Sequence, residues 1–591
     1  MAALRFRLKN TNPDSLENLR SLLIQTGQFE QAVFDCAADF NGKEKILNHS
    51  RAATDFAATA FYSIWKNAPD NSIAKQNRIE LLGKMTEELC GIQFAAKTIL
   101  NVKVPEGFEF YALFPEQYFA AALKWAKVHA NKNSHQRILV IGIRSIGTTL
   151  SATVTAVLRS LDLDCFRFTV RPTGNPFSRR VELPNFHFKN FSHALVVDEG
   201  PGISGSSMAA IALALEEKSI RKISFFPGRE GEPGNAASPE IRKCWNKIPR
   251  YFAPLNNISW PENCESKIFH SLRESLAARS QEICDTSKPF DIEDVSGGQW
   301  RRFAYSDEAK WPAIAAQFER MKFLCTNRNG KSVLWKFAGL GGASGSAENS
   351  AEIAFKKVSR LAEAGFAPKP LGHFRGFIAT PWIDGTRLTL ADSADSAVLK
   401  NIGHYIVRAA GPALDSGESR SAISRLAEML YWNTNKLLGN LIAENTKRLA
   451  AAAMESEIPF SYGDGHLAPH EWIRVSESVI LKTDNISHDA DHTMVGRQSL
   501  LWDVAGALIE WNLNFQSAAP LLAPISESGI SPETDALHFY QAAYAAFRAG
   551  LMSLAVQQTG DNSEKIRLRN AQEFYRNKLL ILIENPIPNF A

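Results

Sequence analysis

Two neighbouring carboxylates, Asp198 and Glu199, close an apolar run, Ala194–Val197, and lead straight into a loop of small residues, Gly200–Ser207. Carboxylates accept hydrogen bonds from vicinal hydroxyls, so the pair suits a sugar. The loop suits an anion. Its glycines let backbone N–H groups turn inward, its serines add donors, and the helical pattern Met208–Leu215 brings a favourable dipole. An earlier loop, Arg144-Ser145-Ile146-Gly147-Thr148-Thr149, again sets glycine, hydroxyls and a cation at the start of a helix. Between the two lies Phe166–Leu183, a loop with strand-like ends that carries Arg171, Arg179 and Arg180 among Pro172, Gly174 and Pro176. A structural Gly-rich turn and a solvated hairpin are the plainer readings of these segments. From about Arg137 the pattern alternates strand and helix, as in a parallel sheet, and ligands gather at the carboxyl ends of such strands. A further strand, Ile223–Phe226, precedes a Gly/Pro loop with Arg229 and Glu230, to which no role is assigned.

The stretch VVDEGPGISGSS resembles the phosphoribosyl-pyrophosphate loop of type I phosphoribosyltransferases, with Glu in place of the usual second Asp and a loop one residue longer. The resemblance implies catalytic roles for Asp198 and Glu199 on the ribose hydroxyls. It places Gly202, Ser204, Gly205, Ser206 and Ser207 around the 5′-phosphate, and Arg144, Ser145 and Gly147 around the pyrophosphate. Arg171 and Arg179 belong to a mobile basic loop that closes over the leaving group and excludes water.

The second half reads differently. MKFLCTNRNGKSVLWKFAG is a β-hairpin around Asn-Arg-Asn-Gly, with Lys336 among apolar residues of its second strand. A helix over 349–364 carries Glu352, further strands follow in PLGHFRGFIATPWIDGTRL, and 396–457 is mostly helical. YGDGHLAPHEWI at 462–473 then precedes a strand, Ser478–Leu481, and Lys482-Thr483-Asp484. A small sheet lobe with one helix, followed by a helical lobe, resembles the protein-kinase and aminoglycoside-phosphotransferase fold. That resemblance implies ATP bound by Lys336, with Glu352 bracing it (Glu348 is the alternative) and Trp382 and Ile383 at a hinge beside adenine. It makes Asp464 the residue that orients or deprotonates an acceptor hydroxyl, and Asp484 the ligand of Mg²⁺. Tyr462 replaces the common His, and Pro469 stands where Asn is usual, so His470 or Glu471 takes the second metal contact. Asp503, in LWDVAGALIEW, braces the catalytic loop. His488, Asp489, Asp491 and His492 suggest either a transition-metal site or a polar loop after the metal-binding Asp.

At 591 residues the chain is too long for one core. A net charge of +4, from 66 basic and 62 acidic residues, is too slight to argue for nucleic acid. Seven cysteines, none at C-x-x-C spacing, indicate neither a zinc site nor a disulfide framework. No apolar run has the length to span a bilayer, and MAALRFRLKNTNPDS lacks a signal core, so a cytoplasmic location is expected. Helical periodicity covers Leu16–Thr26, Ala52–Lys66, Met85–Ile99 and Pro115–His129, residues 232–300 read as irregular, and 534–583 is helical.

The expected fold class is α/β. A helical cap (1–130) precedes a parallel-sheet phosphoribosyltransferase-like domain (131–290), and an α+β bilobal kinase-like domain (300–591) follows, with a boundary within Ser287–Arg302. The expected function is bifunctional: phosphoribosyl transfer from phosphoribosyl pyrophosphate to a nucleobase-like acceptor, or its reverse, with ATP-dependent phosphorylation of a metabolite hydroxyl. The alternative is a ligand sensor with an inactive kinase-like scaffold; a protein kinase is disfavoured by the missing APE sequence. Small-molecule substrates are the expected partners, a homodimer is permitted, and neither nucleic acid nor membrane is expected.

Overall fold

A computed structural model describes residues 2–36, 43–66, 72–94, 98–130, 137–262, 268–341, 350–411, 416–455, 463–486, 498–530 and 534–585. Tyr462, Glu348 and the His488–His492 cluster lie outside these residues. The chain divides into two compact units. The first comprises residues 1–290, 339–352 and 374–376; the second comprises 291–338, 353–373 and 377–591.

The first unit is built on a parallel sheet whose strands lie in the order Asp164–Val170, Arg137–Ile143, His193–Val197, Ile223–Phe226. The two central strands are almost wholly buried, which is why they read as unbroken apolar runs. The helix Ile146–Ser160 packs tightly on them because two glycines allow it. A Cβ on Gly147 would lie 2.6 Å from the Val197 carbonyl oxygen, and one on Gly142 only 2.2 Å from the Gly147 carbonyl oxygen.

The N-terminal helices run longer than their periodicity suggested, as Leu16–Asp35 and Lys43–Trp65. The first begins on a Ser15 cap and continues through Gly27, where a Cβ would come within 2.0 Å of Thr149 Oγ1. Close approach of a neighbouring helix, not a break, explains that glycine. The weak pattern at Met85–Ile99 belongs to a helix that starts earlier and stops at Gly91, Ser72–Gly91. The helix Pro115–His129 has its expected bounds.

Residues 232–300 are not irregular. They contain a helix Pro239–Lys247 with a Ser238 cap and proline in its first turn, and a helix Leu272–Ile283 with a Ser271/Glu274 capping box. Both caps were present in the sequence; short helices with few apolar residues hid them.

The second unit carries a five-stranded sheet ordered Gly372–Phe374, Phe377–Pro381, Ser332–Phe337, Lys322–Asn327, Phe290–Asp294. Numbered along the chain, that is fourth, fifth, third, second, first, with the helix Ser350–Glu363 between the third and fourth strands. A three-stranded sheet of Thr386–Arg387, Trp472–Arg474 and Ile480–Lys482 follows, among the helices from Ser396 to Glu584. No described helix is long and apolar enough to cross a membrane. None of the six described cysteines is joined to another described residue by a disulfide.

Candidate functional site

In the first unit, the chain segments bearing Arg144–Gly147 and Asp198–Ser207 leave the carboxyl ends of adjacent parallel strands. They flank the point where strand order reverses, the position at which open α/β sheets bind ligands. The Asp198 carboxylate takes hydrogen bonds from the Glu199 and Gly200 backbone N–H groups, yet burial dominates and pushes its pKa up to about 7. Tyr118 donates its hydroxyl to the Asp198 carbonyl at 2.7 Å, fixing the backbone there. Gly202 and Gly205 have φ of 62° and 64°, the left-handed conformation that a loop turning N–H groups inward requires. Ser145 sits at φ 141°, unusual for a residue with a Cβ.

The expected phosphate-binding groups are engaged within the protein. Ser204 and Ser206 both donate to the Pro176 carbonyl, at 2.9 and 2.7 Å, so the hairpin Thr173–Asn175/Ser178–Arg180 rests on the serine loop. Arg144 and Arg171 converge on Asp35, Arg144 at 3.1 Å and the Arg171 Nε at 2.8 Å. Burial raises the Asp35 pKa, but hydrogen bonds from Arg171, Gln31 and Arg144 outweigh it and hold the carboxyl below its ordinary range. Arg179 donates to the Gly174 carbonyl inside its own exposed hairpin. Ser207 is half-buried at the first turn of the helix Ser206–Glu217.

The second unit encloses a cavity of about 210 Å³. Lys336, Trp382, Ile383, His470 and Asp484, remote in sequence, all line it. Lys336 lies directly across the strand pair from Lys322. Two facing ammonium groups repel unless neutralised, and each has its own acid: Asp484 for Lys336 and Glu319 for Lys322. Burial lowers the Lys336 pKa to about 8 against the opposing pull of Asp484. Glu352 is not among the cavity-lining residues; the carboxylate on Lys336 is Asp484.

Beneath the cavity floor, Asp464 is 1% exposed. Lys482 donates to its Oδ1 at 3.0 Å and the Tyr405 hydroxyl to its Oδ2. The Asp503 carboxylate accepts the backbone N–H groups of Asp464 (2.6 Å) and Gly465 (2.8 Å), which fixes the loop from below. That grip needs Gly463, since a Cβ there would lie 2.0 Å from Asp503 Oδ2. His466 pairs with Glu471, whose second oxygen lies 3.1 Å from Lys482 Nζ.

Among the described residues, no group of three or more His, Cys, Asp or Glu is placed to hold a metal ion. Asp484 fits a single Mg²⁺ that completes its shell with phosphate oxygens and water, the usual arrangement for that ion. His470 fits less well: burial pushes its pKa down to about 3, its neutral ring stacks on Trp300, and imidazole is a poor Mg²⁺ ligand.

Sequence reasoning missed Lys482, Tyr405, Lys322 and Trp300. Lys482 had a signal, a lysine at the end of an apolar strand, the same one that singled out Lys336. Trp300 belongs to the segment 295–321 joining the first two strands of the five-stranded sheet, and nothing local ties it to the cavity.

No family model and no curated protein matches the chain. Among solved structures it is similar to choline kinase LicA from Streptococcus pneumoniae, at 14% identity and a TM-score of 0.29 over 43% of this chain and 89% of that one. It is also similar to an ethanolamine kinase from Plasmodium vivax (11%, 0.34, 59% and 97%) and to the macrolide 2′-phosphotransferase MphH from Brachybacterium faecium (13%, 0.30, 53% and 98%). Likenesses at these identities and TM-scores decide nothing about activity, which rests on the geometry of the sites.

Proposed function

We propose that the chain is a bifunctional small-molecule transferase whose second unit is an ATP-dependent phosphotransferase. One observation carries this: a strand-borne lysine, a hinge-like pair (Trp382 and Ile383), the 463–471 loop and Asp484 meet at one cavity. They do so in a unit whose sheet has the strand order first-second-third-fifth-fourth, with a helix between third and fourth. Lys336 holds nucleotide phosphates, and Trp382 and Ile383 border the base. Asp484 would hold Mg²⁺, which would supply neutralising positive charge beside the transferring phosphoryl group. A hydroxyl oxygen of the acceptor forms a bond to the γ-phosphorus, the bond to the β-bridging oxygen breaks, and the hydroxyl proton is released. With both oxygens of Asp464 engaged beneath the cavity floor, its part is to position the 463–471 loop that faces the acceptor rather than to hold the proton.

In the first unit, the paired loops at adjacent strand ends support phosphoribosyl pyrophosphate as ligand. Asp198 and Glu199 take the ribose hydroxyls, and Gly202–Ser207 and Arg144–Gly147 take the phosphates. A ring nitrogen then attacks the anomeric carbon as its bond to pyrophosphate breaks, or the reverse.

A second reading, ligand binding without turnover, draws on the engaged state of Arg144, Arg171, Ser204, Ser206 and Asp464. Calorimetric titration with Mg-ATP and with phosphoribosyl pyrophosphate, beside assays of phosphoryl transfer and pyrophosphate release over panels of hydroxyl and nucleobase acceptors, separates the readings. Binding with turnover supports the transferase, binding without turnover the sensor, and no binding of either ligand removes both.

A further inference from the structure

The ammonium of Lys482 occupies a cage of oxygens. Its Nζ lies 3.0 Å from Asp464 Oδ1 and 3.1 Å from Glu471 Oε2, and it donates to the Asp484 carbonyl. The side chain is fully buried, against the Tyr405 ring. Three oxygens, two of them carboxylate oxygens, converge on one cation from the segments expected to supply metal ligands: the catalytic loop with its flank, and the strand running to Asp484.

The backbone holds this cage rigidly. The Lys482 N–H donates to the Phe366 carbonyl at 2.8 Å, the Thr483 N–H to the Glu471 carbonyl at 2.8 Å, and the Asn485 amide to the Lys482 carbonyl at 2.6 Å.

A divalent ion cannot share this position. An ammonium about 3 Å from each oxygen fills the space, and a cation beside it would be repelled at short range. The side-chain partners agree. Asp464 and Glu471 direct carboxylate oxygens at Lys482, whereas the Asp484 carboxylate pairs with Lys336 and only its backbone carbonyl meets Lys482, so Asp484 is the acid left for an ion that also binds phosphates.

We propose that Lys482 is a built-in replacement for the second metal ion: the site takes one divalent cation with its nucleotide, and Glu471 is a counter-ion of Lys482, not a metal ligand. This rests on the phosphotransferase reading of the second unit. It also accounts for Pro469 in the usual place of an asparagine, because a site with a resident ammonium has no second ion for an amide to hold.

The test counts Mn²⁺ bound to the full chain by electron paramagnetic resonance, with and without a non-hydrolysable ATP analogue, and takes the difference. About one nucleotide-dependent Mn²⁺ per chain is expected, up to roughly millimolar Mn²⁺. Two would overturn the replacement while leaving the phosphotransferase reading in place; none would overturn both. Lys482→Met is expected to open a second Mn²⁺ site on Asp464 and Glu471, and a folded variant that still binds one ion counts against the proposal. Should that variant not fold, Glu471→Gln decides. Mn²⁺ affinity within about twofold of wild type supports a counter-ion role, whereas a loss of about tenfold or more marks Glu471 as a ligand and defeats the proposal.

Discussion

The two candidate sites assemble charge in opposite ways. In the first unit, the groups that would meet a ligand come from loops directly following adjacent strands, and, apart from Arg144 and Arg171 on Asp35, their conformation is set by backbone: glycines at positive φ, a hydroxyl held by Pro176, a carboxylate bonded to N–H groups. In the second, the groups come from stretches far apart, and ion pairs hold them: Lys336 and Asp484 are 148 residues apart, yet paired. A site made of backbone tolerates loss of one side chain better than a site made of buried ion pairs, where removing one partner strands the other in a region of low polarity. Substitutions should therefore act unequally on the two.

The largest separation is expected from Asp484→Asn. It removes the one carboxylate suited to Mg²⁺ and the partner of Lys336, so Mg-nucleotide affinity and phosphoryl transfer fall about a thousandfold, roughly 4 kcal/mol. Phosphoribosyl-pyrophosphate affinity, followed by calorimetry on the same preparation, stays within about twofold. Equal loss at both sites would break the comparison.

Asp503→Ala comes next. Two buried N–H groups lose their acceptor, at about 1–3 kcal/mol each, which lowers the unfolding midpoint of the second unit in a calorimetric scan and weakens nucleotide binding. Gly463→Ala should mimic it, because the new methyl group displaces the same carboxylate.

Asp198→Asn with Glu199→Gln is expected to weaken phosphoribosyl-pyrophosphate binding about a hundredfold, roughly 2.7 kcal/mol, and to spare ATP binding. Because backbone shapes the phosphate loops, affinity for inorganic pyrophosphate should change less than that for the full ligand. An equal fall would show that the acids do not address the sugar.

The smallest effect is a pH dependence of the first site. The Asp198 pKa is raised in the folded protein to about 7, so the folded chain keeps a proton that the unfolded chain releases at lower pH. The stability contribution of this group therefore declines as pH rises from about 4 through about 7 and is level above that. Binding through a carboxylate runs the other way, rising about tenfold between about pH 6 and pH 8. Isothermal titrations across that range should show the rise in wild type and a flat profile in Asp198→Asn.

Legibility followed the same division. Strand, paired acids and small-residue loop are contiguous, so 194–207 could be read as a unit, and the parallel sheet followed from the alternation of strand and helix that begins near Arg137. The helices Pro239–Lys247 and Leu272–Ile283 were missed because they are short and carry few apolar residues, so that their caps were the signal to read. In the second half, Lys336 and Asp484 were identified one at a time, by a lysine among apolar residues and by spacing, and their pairing was not foreseen. The brace assigned to Glu352 is a case where sequence spacing named one acid and the fold supplied another.

By itself, the sequence determined the local grammar: which runs form strands, where glycines let the backbone turn and which loops carry acids or cations. Only the tertiary structure decided which charges neutralise which. It set Arg144 and Arg171 on Asp35, and it seated Lys482 between Asp464 and Glu471. The physical reason is range. Backbone conformation depends on neighbours a few residues away, whereas a buried charge is stabilised by whichever opposite charge the fold brings within about 3 Å, and no local pattern encodes that partner.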